Sequence, residues 1–398
     1  MGLMRDPRAA GIGVRRLLSV NAEHYMGMLL LALLYTVQAD YGSAKTTIGR
    51  ILTLYEEDIV GALLYIVLRQ ITENTVPVLP TSAVGASLGE GGATRVAIEG
   101  INRELAIVLA RVEAYSNKVV SHPIIDAASG DHATPTLKRL CLGRVLGERP
   151  PDKEVIDPHV AQRQAAHYWS FLAYVCVRLS AYRLAEVVIE AGLNFIANQP
   201  TPHPRAFADL LCSTTRLSLL RLGGRLPAFT MIHEFNLLGT FIPFTNAESS
   251  FTALLMARTE DSGGEGATNS LKGAVEPIDQ RELSIAFTNL LQVVEMCPNH
   301  ADAYLLMGIL RLLDASKPDL PKSERHVKLL EAAVYFEQCI GNCPYCVEAY
   351  LGLGNVRKLQ EADEVALDLY ATASEVWFRQ PLISFEEFMF LFDRHITI

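Results

Sequence analysis

YLGLGNVRKLQEADEVALDLYATA, residues 350–373, is the stretch that decides the fold of this chain. Small and large apolar residues recur in it at helical spacing on both sides of a polar turn near residues 360–363. Small residues let two helices cross closely, and large residues fill the space beside the crossing. The stretch therefore predicts two helices that pack as an antiparallel hairpin, with key positions Tyr350, Leu353, Gly354, Ala366, Tyr370 and Ala373.

The same register recurs along the chain. Ala332 lies 34 residues before Ala366 and belongs to an earlier copy of the second helix. A polar, proline-containing insertion, residues 314–328, separates that copy from its own first helix. Two hairpins far upstream share the pattern. The residues expected to pack where helices cross are Ala32, Ala44, Trp169, Ala173, Ala185, Gly308, Ala332, Gly354 and Ala366.

This period and its residue types resemble the tetratricopeptide repeat (TPR) family. The resemblance extends over most of the chain and is sharpest in four hairpins. It implies an all-α fold, an α-solenoid of about six to seven degenerate TPR-like helical hairpins with long loop insertions.

Changes in composition divide the chain further. Stretches rich in Gly, Ser, Thr and Pro interrupt the helical pattern and predict flexible insertions. The terminal stretch begins with a capping box, Ser384 and Glu387, and carries a Phe- and Met-rich helical face that would cover the last repeat. The predicted order is an N-terminal segment for which disorder is one interpretation (1–20), N-terminal hairpins (21–118) with an insertion (72–94), a linker or insertion (119–160), central hairpins (161–259), a flexible insertion (260–279), C-terminal repeats (280–380) and a capping helix (381–398).

The TPR resemblance also implies a binding surface, because repeats of this family line a concave groove with first-helix residues. The corresponding positions here are mostly apolar, which predicts an apolar helix or segment of a partner as the ligand. TPR proteins that clamp the acidic tails of chaperones carry Lys where this chain has Leu29, Leu305 and Leu351, so we expect no such carboxylate clamp. The predicted partner-binding residues are Leu29, Leu33, Tyr174, Arg178, Leu305, Ile309, Leu312, Leu351, Asn355 and Lys358.

The function that follows is a non-enzymatic scaffold for protein–protein interaction within a multi-subunit complex, without a cofactor. The order of elements is similar to the TPR scaffold subunit of the mRNA deadenylase complex, with an early hairpin at Asp40-Tyr41 and a later one from Ala181-Tyr182 to Ile196. The first hairpin and the terminal repeats also look like the helical scaffold of the phosphatidylinositol 4-kinase complex. Each resemblance implies protein subunits as partners.

Two cysteine-based alternatives remain at this point. Cys343 and Cys346 form a Cys-Pro-Tyr-Cys sequence that resembles the glutaredoxin redox motif and would suit a thiol-disulfide oxidoreductase. Cys297 and His300 occupy the same repeat positions one repeat earlier, so the four residues could form a zinc site. The repeat itself explains Pro344 as the end of a helix, and no strand pattern precedes the motif.

Composition limits the remaining function classes. The net charge is −9 and no Lys/Arg cluster stands out, which argues against direct nucleic-acid binding and leaves an RNA-associated repeat protein as a third alternative. The longest apolar runs, 26–37 and 59–68, are too short to cross a bilayer. Seven scattered cysteines indicate free thiols in a reducing compartment. We expect the cytoplasm, with the mitochondrion as an alternative because the N-terminus is Arg-rich.

Overall fold

The computed structural model describes residues 7–74, 90–121, 158–179, 181–200, 203–222, 276–317 and 320–377. These ranges contain thirteen α-helices and no β-strand, so the described part of the chain is all-α, as predicted. The helices are α1 (Pro7–Val20), α2 (Tyr25–Val37), α3 (Tyr41–Leu54), α4 (Ile59–Asn74), α5 (Glu90–Ser121), α6 (Pro158–Arg178), α7 (Tyr182–Ala197), α8 (Pro204–Leu222), α9 (Glu276–Met296), α10 (Ala301–Ala315), α11 (Lys322–Asn342), α12 (Val347–Leu359) and α13 (Asp363–Trp377).

Packing follows the order of the chain. Each helix packs mainly on a neighbour in the chain, with the closest pairs α2–α3, α6–α7, α10–α11 and α12–α13. Further packing joins helices two places apart, such as α6 with α8, α8 with α10 and α10 with α12. A domain in which elements touch only near neighbours in sequence is typical of repeat architectures.

The turns inside three hairpins have the same backbone geometry. The residue just before the second helix donates its amide to a carbonyl five residues earlier. The bonds run from Asp40 to Tyr35, from Ala181 to Cys176 and from Ala362 to Arg357, at 2.9–3.0 Å. This bond closes the end of the first helix in the manner of a Schellman motif. Ala39 and Glu361 precede the bond in two of the turns and adopt left-handed φ angles of 57° and 61°. Local geometry thus repeats even where the residues differ.

Aromatic rings fill the closest helix crossings of the C-terminal hairpins. Phe336 is fully buried on α11, and its ring lies against Gly308 of α10 and Gly352 of α12. A Cβ atom added at Gly308 would lie 2.7 Å from that ring, and one added at Gly352 would lie 2.5 Å from it. Gly354 stands in the same relation to the Tyr370 ring, also at 2.5 Å. All nine residues expected at helix crossings are buried.

Replacing Gly308 with alanine is expected to destabilise the protein by about 1–2 kcal/mol. The methyl group would overlap a rigid ring, and the cost of overpacking exceeds the helix-propensity gain of alanine. Gly100, inside α5, has no heavy atom within 4 Å of its added Cβ. Gly100→Ala should therefore stabilise by about 0.5–1 kcal/mol. Urea unfolding of the two variants checks the opposite signs, and equal effects would contradict the packing argument.

Several predicted boundaries shift. Residues 7–20 of the expected N-terminal segment form a helix, α1. Helices also enter the edges of the predicted insertions, because α4 extends to Asn74, α5 runs from Glu90 to Ser121, and α9 begins at Glu276. Much of the insertion 314–328 is helical, since α11 begins at Lys322 and is lengthened at its N-terminal end. The capping helix 381–398 and residues 223–259 of the central hairpins lie outside the described residues.

Candidate functional site

The residues predicted to line an apolar binding groove are mostly core residues. Leu29, Leu305, Ile309 and Leu312 are at most 2% exposed, and Leu33, Arg178 and Asn355 are also buried. Tyr174 and Leu351 are half-buried, and only Lys358 is exposed. The expectation of an open apolar groove on these first helices is therefore wrong. The chain itself covers the groove, so these side chains stabilise the fold and offer little surface to a partner.

Helix α8 packs against the start of α10, the first helix of a C-terminal hairpin, through polar contacts. Arg216 of α8 is 2% exposed, and its guanidinium binds both carboxylate oxygens of Asp302 at the start of α10. Burial alone would raise the pKa of Asp302, but Arg216, Arg178 and the hydrogen bond from Arg216 outweigh it and lower that pKa. A buried bidentate pair of this kind fixes the angle between two helices because its geometry is demanding.

A second ion pair lies beside the first. Arg178, at the end of α6, contacts Glu348 of α12 with 3.7 Å between Nη1 and Oε1, and both side chains are nearly buried. The Arg178 guanidinium also lies over the Tyr174 ring, 4.9 Å from its centroid. The negative charge of Glu348 also favours the charged form of Arg216. We call Arg178, Arg216, Asp302 and Glu348, together with the Asp209–His300 pair described next, the polar seam.

The third part of the seam joins Asp209 of α8 to His300, which caps α10. His300 Nε2 lies 2.8 Å from Asp209 Oδ1, and its Nδ1 accepts from the Ala303 amide at 3.2 Å. These contacts assign the proton to Nε2, which donates to the carboxylate. Arg205 also contacts Asp209, at 3.2 Å. Burial opposes ionisation of Asp209, but Arg205 and the bond from His300 lower its pKa, so the carboxylate is charged.

Cys212, His300 and Asp209 form an arrangement that outwardly suits nucleophilic catalysis. Cys212 Sγ lies 3.9 Å from His300 Nδ1, and His300 contacts Asp209 on its other side. Three observations argue against that chemistry. The Cys212 side chain is 1% exposed, its pKa is raised well above the usual value by burial and by the Asp302 and Asp209 carboxylates, and Nδ1 is engaged by a backbone amide. The trio is therefore a packed part of the seam.

Lowering the pH from 7 to 5 is expected to cost about 2 kcal/mol of stability, mainly through His167. Burial lowers the pKa of His167 to about 4. The nearby positive groups His203, Arg205 and Arg163 lower this pKa further, and the Asp209 carboxylate raises it in part. In the unfolded chain His167 has a pKa near 6.5, so as the pH falls the unfolded state is protonated before the folded state. The contribution of neutral His167 to the free energy of unfolding is therefore fully present above about pH 6.5 and is lost as the pH drops toward 4.

Urea unfolding at pH 5 and 7 measures this effect. His167→Phe should reduce the difference between the two pH values by about 2 kcal/mol. The same change at exposed His326 is the matched control and should leave the difference intact. An unchanged pH dependence in His167→Phe would contradict the assignment to His167.

The Cys-Pro-Tyr-Cys sequence forms a turn between helices. The Cys343 amide donates to the Cys339 carbonyl at 2.8 Å, and the Cys346 amide donates to the Cys343 carbonyl at 3.1 Å. Residues 297–300 form the same two bonds, and residues 21–24 and 55–58 repeat the pattern. Cys346 occupies the helix N-cap position that His24 and His300 hold elsewhere. The spacing of these residues is thus a feature of the turn.

The two cysteine-based alternatives gain no support from this turn. A hydrogen bond with Cys339, together with burial, raises the pKa of Cys346, which disfavours a reactive thiolate. No strand precedes the motif in the described residues. Within those residues no group of three or more His, Cys, Asp or Glu side chains could hold a metal ion. Cys297, His300, Cys343 and Cys346 therefore form no such group there, and both nitrogens of His300 are engaged by Asp209 and the Ala303 amide.

Exposed apolar side chains are concentrated on the second helices of the C-terminal hairpins. Seven large apolar residues on α9, α11 and α13 are between 46% and 67% exposed. We call them the second-helix patch: Ile285, Leu291, Val327, Leu330, Val334, Val365 and Leu367. Three of them, Val327, Leu330 and Val334, line the same surface depression on α11. Contiguous exposed apolar surface of this kind frequently marks an interaction site.

A signal for this patch was available in the sequence of α11. Leu329, Ala332 and Phe336 are buried, at spacings of three and four residues. Val327, Leu330 and Val334 repeat that spacing two residues out of phase, which places them about 200° away, on the opposite side of the helix. A helix with apolar residues on two opposite faces has more apolar surface than its own core needs.

No protein-family model matches the chain, and no curated protein matches it. Among the helices of the described residues, none combines the length and apolar character required for a membrane span. The functional inference therefore rests on the fold and on the surfaces described above.

Proposed function

We propose that this protein is a non-enzymatic scaffold, a solenoid of tetratricopeptide-type hairpins that holds other protein subunits in a larger assembly. The observation that carries the proposal is the second-helix patch. Its side chains lie on alternate helices of the best-formed repeats, and three of them share one apolar depression on α11, which is the kind of surface that partners cover. This surface takes the place of the covered first-helix face as the expected partner-binding site.

Two other features support a scaffold role. The helices pack in chain order, as expected for a repeat array that offers an extended surface to partners. The buried charged side chains Arg178, Arg216 and Glu348 belong to the polar seam, where Arg216 pairs with Asp302 and Arg178 with Glu348. A reactive site would instead require a solvent-accessible group with an activated pKa.

Affinity purification with quantitative mass spectrometry tests this function. The double variant Leu330→Asp/Val334→Asp should lose its stoichiometric co-purifying subunits by about tenfold or more, because two charges would be placed in the middle of an apolar interface. Both side chains are exposed in the free chain, so the variant should keep its helical circular dichroism and its unfolding midpoint.

Val187→Asp is the matched control. Val187 is 54% exposed on α7, a second helix of the central hairpins, so it carries the same chemistry away from the patch. This variant should retain the partners. Full retention of every partner by the Leu330→Asp/Val334→Asp variant would reject the patch as the binding surface.

A further inference from the structure

The centre of the second-helix patch is a shallow groove on the outer face of α11. The groove has a volume of about 300 Å³ and is lined by Val327, Leu330, Glu331, Val334 and Tyr335. The Tyr335 ring meets Phe287 of α9 edge-on, with 6.4 Å between centroids, so one side of the groove adjoins α9. Its apolar floor suits the side chains of a helix that lies along α11.

Acidic residues border this apolar floor. On a helical projection of α11, Glu324 and Glu331 lie on one side of the Val327–Val334 stripe and Glu337 lies on the other. Glu331 and Glu337 contact Arg311 and Arg357, each at 2.9 Å. The basic residues of α11, Lys322, Arg325 and Lys328, lie farther around the helix, and Lys328 contacts Glu331 at 3.4 Å. Glu331 is therefore paired with two cations, whereas Glu324 is exposed and the Glu337 side chain is 53% exposed, so a ligand would meet these two carboxylates.

The charge of the whole chain is concentrated in the same region. Residues 276–377 contain 16 Asp and Glu against 8 Lys and Arg, a net charge of −8 out of −9 for the entire sequence. Two of these carboxylates, Asp302 and Glu348, pair with Arg216 and Arg178 from outside the segment, and the other acidic residues still outnumber the basic ones. The other 296 residues are almost neutral, with 28 acidic and 27 basic residues. Such asymmetry favours a partner of opposite sign and accelerates its association.

Building on the proposed scaffold function, we propose that this groove binds a cationic amphipathic helix of a partner protein. The apolar face of that helix would lie on Val327, Leu330 and Val334. Its Lys and Arg residues would flank that face and meet Glu324 and Glu337. Apolar anchors at helical spacing supply affinity, and the charged border selects partner and orientation.

Fluorescence anisotropy with the full-length protein and designed peptides tests the proposal. The probes are three labelled peptides of about 18 residues: an amphipathic Leu/Lys helix, its Leu/Glu counterpart, and a scrambled Leu/Lys peptide without an apolar face. At about 0.15 M salt the Leu/Lys helix should bind about tenfold more tightly than either of the other two.

Variants separate a specific groove from diffuse attraction. Leu330→Asp/Val334→Asp adds two negative charges, yet it should weaken binding of the Leu/Lys helix by about tenfold because the apolar floor is lost. Glu324→Gln/Glu337→Gln should weaken it by about threefold or more. Val187→Asp should bind as the unaltered protein does.

Each remaining outcome overturns the inference. Tighter binding by Leu330→Asp/Val334→Asp would show attraction by charge alone, and equal binding of the Leu/Glu helix would show that charge plays no part. Sedimentation of the unbound protein as a dimer that this variant disperses would assign the groove to a second copy. If the peptides fail but subunit capture still depends on Leu330 and Val334, the scaffold function stands with a different partner chemistry.

Discussion

Asp302→Ala is expected to destabilise the protein by about 3 kcal/mol. The change leaves the fully buried Arg216 guanidinium without its bidentate acceptor, and a buried unpaired charge costs about 3–5 kcal/mol. We expect the lower end of that range because Asp302 is 31% exposed and Glu348 also stabilises the Arg216 charge. Chemical denaturation monitored by circular dichroism measures the loss.

Removing both charges provides the control. Asp302→Ala/Arg216→Met should recover at least about half of the lost stability, because no buried charge remains and methionine fills a similar volume. A cost below about 1 kcal/mol for Asp302→Ala would mean that the pair behaves like an exposed ion pair.

Phe336→Ala is expected to cost about 4 kcal/mol. The ring is fully buried between Gly308 and Gly352, and neither glycine has a side chain that could move into the cavity. Three helices, α10, α11 and α12, would lose contacts at once, so the unfolding midpoint should fall steeply. Thermal and denaturant unfolding of the purified variant measure this loss.

A second substitution in the same background tests the packing explanation. Gly308→Ala is expected to be harmful in the unaltered chain because its methyl group would overlap the Phe336 ring. In the Phe336→Ala background the overlap disappears, and Gly308→Ala should then stabilise by about 1 kcal/mol through helix propensity and partial filling of the cavity. Gly308→Ala that stays destabilising in both backgrounds would point to a cause other than the ring.

Sequence reasoning predicted the helical fold because the periodic signal is local. Gly308, Ala332, Gly354 and Ala366 are spaced by the geometry of two crossing helices, and that geometry needs no knowledge of distant residues. The prediction of an open binding groove was wrong because exposure depends on contacts that are not local. Whether Leu305 or Ile309 is exposed depends on which other segment covers it, and a repeat pattern carries no such information.

The polar seam also depends on contacts between distant segments, which a repeat pattern does not reveal. Arg216 lies in a helix with a weak repeat pattern, 86 residues before Asp302, and nothing in the spacing pairs them. The sequence pattern also suggested a zinc site that the described residues do not form, at Cys297, His300, Cys343 and Cys346. Their shared spacing reflects one turn used repeatedly, so a regular arrangement of cysteine and histidine arose from backbone geometry without a metal site.

The seam also has a consequence for how this chain can vary. Arg216 and Asp209 of α8 hold the start of α10 through direct side-chain contacts with Asp302 and His300, across 86 and 91 residues of sequence. Residues in contact are energetically coupled, so a change at one position alters the cost of a change at the other. We therefore expect substitutions in α8 and at the start of α10 to occur together over evolution.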